Sequence, residues 1–126
     1  MVNTMIRMNA LWNCKNPYQG DYKKILCVCS AGLLRSPTIA YVLGEMGFNT
    51  RAAGIYDYAL ISVDDVLLDW ADVIVTAEEE HKNHLTHIYD LSNKEIISLN
   101  LPDKYPYRDP ELVELIKQRW EERYSE

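Results

Sequence analysis

The chain has 126 residues, of which 48% are hydrophobic and 25% charged, as is typical of one globular domain. Its formal net charge of −6 argues against a general nucleic-acid binder, because affinity for a phosphate backbone requires a basic surface. Three cysteines do not suit a disulfide framework and no apolar stretch is long enough for a membrane span, so we expect a cytoplasmic protein without membrane contact.

The sequence divides into two regions. Residues 1–22 mix polar and scattered apolar side chains and are predicted to be a lead-in segment, whereas residues 23–126 are predicted to form the folded domain. Residues 24–29 are short and nearly all apolar, which favours a buried strand of a parallel sheet.

A helix is predicted after the loop that follows this strand. Ser36 is a favourable N-cap, Pro37 suits the first helical position, and Gly47 is placed to end the helix in a left-handed conformation. The apolar residues between these signals fall at helical spacing: Ile39, Val42, Leu43 and Met46. The local order is therefore strand, loop and helix.

The remaining sequence repeats this alternation. Further strands are predicted over residues 49–53, 72–76 and 95–101, and further helices from residues 62–65, over 77–88 and from Asp109. Four strands alternating with helices imply a single-domain α/β fold with three layers, α/β/α, in which a four-stranded parallel sheet is covered on both faces.

The loop after the first strand carries Cys29 and Arg35 with five residues between them. A thiol attacks as its thiolate, a form favoured here by the positive end of the following helix and by the charge of Arg35. Loop amides can bind phosphate oxygens, and Arg35 can hold two of them as a planar fork. The residues predicted to contact the phosphate are Ser30, Ala31, Gly32, Leu33, Leu34 and Ser36. Ser36 is predicted to donate its hydroxyl to the Cys29 sulfur, to cap the helix, or both in different states.

A simpler explanation is that Cys29 is a buried strand cysteine and Arg35 a surface residue, with their spacing due to chance. However, a strand precedes the pair, a helix start follows it and small residues lie between. This conjunction favours a phosphate-binding loop with a built-in nucleophile.

The segment from Val28 to Thr38 resembles the phosphate loop of low-molecular-weight protein tyrosine phosphatases. Weaker similarity to a compact bacterial-type branch of that family continues in order over residues 23–124. The resemblance implies the family's four-stranded parallel sheet, with the phosphate loop after the first strand at the switch point. It also implies a phosphocysteine intermediate on Cys29, no metal or other cofactor, and a phosphorylated protein or small aryl phosphate as substrate.

The chain departs from this family at two loop positions. The family commonly has a bracing Asn where Gly32 stands, and a second Cys, able to protect the nucleophile as a disulfide, where Leu34 stands. We therefore expect a loop without that brace and without that redox protection. Cys27 faces the same way as Cys29 on the strand and is interpreted as core packing.

The resemblance also implies a general acid, an Asp from the loop after the last strand. Asp109 precedes Pro110 and an apolar helical pattern, so it is predicted to be an N-cap, whose amide hydrogen bonds favour the ionised carboxylate. Asp103, directly after the strand, is therefore the favoured acid. Tyr105 and Tyr107 are predicted to wall the cleft beside an aromatic leaving group, with surface or packing roles as the alternative.

The polar helix predicted over residues 77–88 is interpreted as solvent-facing. His81, His84 and His87 recur every third residue, but no further ligands complete a metal site with them. The run of three glutamates from Glu78 is interpreted as a solvated helix start.

These features predict a metal-independent phosphomonoester hydrolase, specifically a tyrosine phosphatase. Arsenate reduction ranks lower because it needs further thiols, usually downstream of the loop, and Cys14 and Cys27 lie upstream. A non-catalytic module that binds phosphate or phosphotyrosine is the alternative from a different class. The sequence pattern does not specify an oligomeric state.

Overall fold

The computed structural model describes residues 23–32, 34–56, 59 and 61–124. The elements within these residues are, in chain order, β1 (Lys24–Cys29), α1 (Arg35–Glu45), β2 (Asn49–Gly54), α2 (Asp65–Trp70), β3 (Val73–Thr76), α3 (Glu79–Ile88), β4 (Glu95–Ser98) and α4 (Pro110–Arg123). The predicted lead-in segment over residues 1–22, with Cys14 in it, lies outside the described residues.

The four strands form one parallel sheet in the order β2-β1-β3-β4, so that β1 lies between β2 and β3. The apolar run predicted for β1 fits this central position, since residues 25–29 are at most 3% exposed. Cys29 lies opposite Gly54 in the register of β1 and β2. The carboxyl ends of the strands therefore meet at one edge, where open parallel sheets bind their ligands.

Alternating side chains of β1 divide the core into two clusters. Ile25, Cys27 and Cys29 belong to the cluster that α1 and α4 cover. Leu26 and Val28 belong to the cluster on the opposite face, which α2 and α3 cover. The predicted three-layer architecture is thus confirmed, and Cys27 packs in the core.

The end of α1 follows its sequence signal. The amide of Phe48 donates to the Leu43 carbonyl at 3.2 Å, and the amide of Gly47 donates to the Gly44 carbonyl at 3.1 Å. Gly47 has φ +105°, a value that side chains rarely tolerate. The predicted left-handed stop is therefore confirmed as a Schellman motif.

Two of the predicted strands are shorter in the structure. β3 begins at Val73, and β4 ends at Ser98, although Leu99 and Leu101 beyond it remain buried. Burial thus continues along the chain after the ladder of strand hydrogen bonds has ended. None of the described helices is long and apolar enough to cross a membrane.

Candidate active site

The loop between β1 and α1 lies directly against the end of β2. The amide of Tyr56 donates to the carbonyl oxygen of Ser30 at 3.2 Å. A Cβ atom added at Gly54 would lie 2.6 Å from that oxygen and 2.6 Å from the carbonyl carbon of Ala31. Glycine at position 54 is therefore what permits strand and loop to approach so closely.

Gly32 gives the loop its sharp turn. Its φ is +72°, in the left-handed region that glycine and, less readily, asparagine adopt. Its amide donates to the Sγ atom of Cys29 at 3.2 Å. The glycine that replaces the family's asparagine thus suits the left-handed backbone, without a side chain to brace the loop.

The Cys29 thiol is buried at the carboxyl end of β1, with 3% of the residue exposed. It donates to the hydroxyl of Ser36 at 3.1 Å, and this hydroxyl donates to the carbonyl of Ala53 at 3.2 Å. The Gly32 amide approaches the same sulfur. A thiolate at this position has two adjacent donors, since the Ser36 hydroxyl can turn from Ala53 to the sulfur.

The prediction that Ser36 caps α1 is wrong. The helix begins at Arg35 with Leu34 as N-cap, and Leu34 makes no side-chain capping hydrogen bond. The carbonyl of Leu34 accepts from the Thr38 amide at 3.3 Å and from the Thr38 hydroxyl at 2.7 Å, which extends the helix toward the loop. Ser36 is fully buried, and its hydroxyl contacts Cys29 at the end of β1 and Ala53 in β2. Pro37 is the third helical residue.

Arg35 is not a surface residue, since only 2% of it is exposed. Its Nη1 donates to the carbonyl of Leu101 at 3.0 Å and to the carboxylate of Glu78. Its Nε lies 3.5 Å from Oδ1 of Asp103. These three contacts hold the guanidinium at the edge of the sheet where Cys29 ends β1.

A cavity of about 260 Å³ opens between these groups, and it is lined by Cys29, Ser30, Ala31, Leu34, Arg35 and Asp103. The predicted nucleophile, the predicted phosphate-binding cation and the favoured acid thus share one cavity. The side chain of Asp103 is 66% exposed at the mouth of the cavity. Asp109 caps α4 by accepting from the Glu111 amide at 2.9 Å, as predicted.

The two tyrosines predicted to wall the cleft do not line this cavity in the structure. Tyr105 packs against the core and lines a separate surface depression along α4 with Pro110 and Leu115. Tyr107 is 46% exposed, and its hydroxyl accepts from Nε of Arg108 at 2.9 Å. Leu33, the remaining predicted loop contact, lies outside the described residues.

Glu78 and His81 belong to the site, although their helix was interpreted as solvent-facing. Glu78 pairs with Arg35, and the side chain of His81, in a residue only 1% exposed, lies between α3 and the loop. Nδ1 of His81 accepts from the Glu78 amide at 3.1 Å, and Nε2 lies 2.9 Å from Oγ of Ser30. Glu78 and His81 are three residues apart, which is the spacing of a capping box. This spacing was the local sequence pattern that could have indicated the two residues.

The environment of His81 favours its neutral form. Burial lowers the pKa of the imidazole below 6.5, and the positive charge of Arg35 lowers it further. The carboxylates of Glu78, Glu80 and Asp103 raise the pKa but do not outweigh these effects.

No group of three His, Cys, Asp or Glu side chains in the described part of the chain is arranged to hold a metal ion. The donors at the cavity are instead a thiol, a guanidinium and amides, which suit an anion.

Several proteins of known structure share this fold. No protein-family model matches the sequence, and no curated protein is significantly similar to it. Wzb from Vibrio vulnificus, solved with benzylphosphonate, aligns at a TM-score of 0.62 and 20% identity, over 81% of this chain and 97% of that one. A low molecular weight protein tyrosine phosphatase from Bacillus subtilis aligns at 0.60 and 16% identity, over 79% and 97%.

An arginine phosphatase, YwlE from Geobacillus stearothermophilus, also aligns, at a TM-score of 0.55 and 17% identity over 80% of this chain and 85% of that one. Identities this low establish likeness of fold. The chain therefore has the fold of low molecular weight protein tyrosine phosphatases, and Cys29 ends the first strand directly before the loop to α1.

Proposed function

We propose that this protein is a phosphomonoester hydrolase, specifically a protein tyrosine phosphatase, that acts through a phosphocysteine on Cys29. The observation that carries the proposal is the shared cavity, where Cys29, Arg35 and Asp103 face one space of about 260 Å³. Proteins of the same fold, a tyrosine phosphatase Wzb from Escherichia coli solved with phosphate among them, support the same reaction class.

In the first step the Cys29 thiolate attacks the phosphorus of the bound ester. The Sγ–P bond forms while the P–O bond to the leaving group breaks, and Asp103 gives its proton to the departing oxygen. Arg35 and the loop amides stabilise the charge on the remaining phosphate oxygens. The Ser36 hydroxyl and the Gly32 amide stabilise the attacking sulfur.

In the second step water hydrolyses the phosphocysteine. Asp103, now a carboxylate, takes a proton from the attacking water, the new P–O bond forms, and the S–P bond breaks to return the thiolate. Inorganic phosphate then leaves. Because the cycle requires a free thiol at Cys29, we also propose a reducing compartment, the cytoplasm, as its location.

The substrate class follows from the leaving group that the site can serve. We propose a phosphotyrosine side chain of a protein or a small aryl phosphate, which leaves as a phenolate oxygen that Asp103 protonates. An arginine phosphatase of the same fold acts on a different phosphorylated side chain, so phosphoarginine is the comparison substrate in the assay.

The test is hydrolysis of an aryl phosphate in the presence of a chelator. We expect Cys29→Ser to abolish turnover, and Cys27→Ser to retain it, because Cys27 is equally buried on the same strand face but two residues from the loop. Hydrolysis by Cys29→Ser would contradict the mechanism. Tight binding without turnover by the unmodified protein would establish a binding module instead.

The acid is tested by a matched pair of variants. We expect Asp103→Asn to lower kcat by about 10²- to 10⁴-fold, the usual contribution of a general acid, and to remove the basic limb of the pH–rate profile. Asp109→Asn should keep that limb, because the Asp109 carboxylate is used in capping α4. Loss of the limb in Asp109→Asn alone would assign the acid to Asp109.

A further inference from the structure

The buried imidazole of His81 makes two hydrogen bonds that fix its protonation pattern. Nδ1 faces the amide of Glu78 at 3.1 Å, and Nε2 faces Oγ of Ser30 at 2.9 Å. A backbone amide can only donate, so Nδ1 must offer its lone pair. In the neutral ring the proton is then on Nε2, and the imidazole donates to Ser30.

This pattern also orients the Ser30 hydroxyl. Its oxygen is an acceptor for His81, so its own hydrogen remains to be donated elsewhere. His81 is the only side-chain partner that Ser30 Oγ has among the described residues. Ser30 lines the same cavity as Cys29 and Arg35.

We propose that His81 is a positioning residue that holds the Ser30 hydroxyl as a donor to an oxygen of the bound phosphate. The inference rests on the proposed function, which identifies the ligand as a phosphate ester beside Cys29. It assigns Ser30 a side-chain contact in addition to its backbone amide. It also brings α3, a helix outside the loop, into phosphate recognition.

The surroundings of His81 keep this arrangement in place. Burial and Arg35 lower the pKa of His81, and a charged imidazole would direct an Nδ1 hydrogen at the Glu78 amide, donor against donor. The charged groups that act on the ring are Arg35, Glu78, Glu80 and Asp103. The neutral ring is therefore the form that supports Ser30.

The test measures binding of inorganic phosphate by calorimetry at a pH well above 6.5, where His81 is neutral. Ser30→Ala should weaken binding about tenfold, the typical effect of losing one hydrogen bond to a charged ligand. His81→Asn should weaken binding equally, because asparagine can reproduce the acceptor near Nδ1 but offers no donor near Nε2. The double variant should be no weaker than either single variant, since both changes remove one interaction.

Rescue separates positioning from simple packing. Gln reaches as far as Nε2 and can donate to Ser30, so His81→Gln should bind phosphate more tightly than His81→Asn. Unchanged phosphate affinity in Ser30→Ala would overturn the proposal, and so would fully additive losses in the double variant.

A spectroscopic measurement keeps the proposal testable if the His81 variants do not fold. In the unmodified protein, ¹⁵N NMR of the histidine side chains should find His81 protonated at Nε2 alone, whereas protonation at Nδ1 would overturn the proposal. Failure of the proposed function is visible separately, as hydrolysis by Cys29→Ser or as phosphate binding without turnover by the unmodified protein. Unchanged phosphate binding in Ser30→Ala would leave the Cys29 mechanism standing.

Discussion

The starts of α1 and α3 meet at the same edge of the sheet, yet they are built in opposite ways. The N-cap of α3 is Glu78 and its first turn carries two more glutamates, so its positive end is surrounded by its own carboxylates. The N-cap of α1 is the apolar Leu34, and the first turn of this helix has no acidic residue. The end of α1 is therefore left open for an anion from outside.

The other two described helices follow the pattern of α3. Asp64 caps α2 and Asp109 caps α4, each by accepting a backbone amide. Among the described helices, only α1, the helix next to Cys29, has an N-cap residue that is not acidic. The proposed phosphate site is therefore marked by the absence of an acidic N-cap as well as by the residues present.

The two helix starts are also coupled electrostatically. Arg35 stands in the first turn of α1, where a cation is unfavourable to the helix dipole. Glu78 at the start of α3 pairs with it and compensates that charge. The carboxylate at the start of α3 thus holds the guanidinium that we propose to bind phosphate at α1.

The largest effect is expected from removing the planar fork at α1. Arg35→Lys retains the charge but loses the geometry for two phosphate oxygens, so we expect kcat/KM on an aryl phosphate to fall by about 10²- to 10³-fold. Arg119→Lys is the control, because Arg119 also donates to backbone carbonyls but lies outside the cavity. Equal losses in both variants would contradict the role given to Arg35.

The shape of the loop is tested with two glycines that have opposite surroundings. In Gly54→Ala the new Cβ would meet Ser30 and Ala31 at 2.6 Å, so the loop must shift, and we expect about 10²-fold lower kcat/KM. Gly47→Ala has open space but a φ of +105°, so it should lower the free energy of unfolding by about 1 kcal/mol and leave activity intact. Steady-state kinetics and urea unfolding of both variants check this crossed pattern.

An acidic N-cap on α1, like that of α3, should weaken phosphate binding more modestly. Leu34→Asp places a carboxylate at the open helix end beside the cavity, and we expect it to weaken inorganic phosphate binding about tenfold at low salt. Leu34→Asn, nearly the same shape without the charge, should bind more tightly than Leu34→Asp. Equal binding by the two variants would show that the absence of an acid at α1 has no electrostatic role.

The smallest expected effect is the contribution of His81, in α3, to the pH dependence of the free energy of unfolding. The pKa of His81 is lowered in the folded state, so below about pH 6.5 the unfolded chain binds a proton that the folded chain does not. Stability should therefore decrease as the pH falls from 6.5 through the folded pKa. His81→Asn should flatten this dependence in urea unfolding, and an unchanged dependence in that variant would contradict the assignment to His81.

Much of the fold was predictable because its signals are local. The apolar run of β1, the glycine after α1 and the cap at Asp109 each specify their own element, and all three agree with the structure. The N-cap prediction for Ser36 failed because Ser-Pro is a local cap signal, whereas the Ser36 hydroxyl contacts Cys29 of β1 and Ala53 of β2.

The rest of the site depends on distant pairs. His81 meets Ser30 across 51 residues of sequence, and Glu78 meets Arg35 across 43. The histidine spacing alone resembles a solvated stripe, and it becomes a buried contact only when α3 packs beside the loop. Local patterns therefore pointed to Cys29 and Arg35 as the proposed nucleophile and cation, but not to the distant residues that contact the same loop and guanidinium.

The central claim is that the open end of α1 holds a phosphate for attack by Cys29. The most direct measurement is mass spectrometry of the unmodified protein, quenched with acid during turnover of an aryl phosphate, with the modified peptide sequenced. We predict one phosphoryl group on the Cys29 sulfur and none in Cys29→Ser. Turnover without phosphorylated Cys29, or phosphate trapped on another residue, would contradict the account.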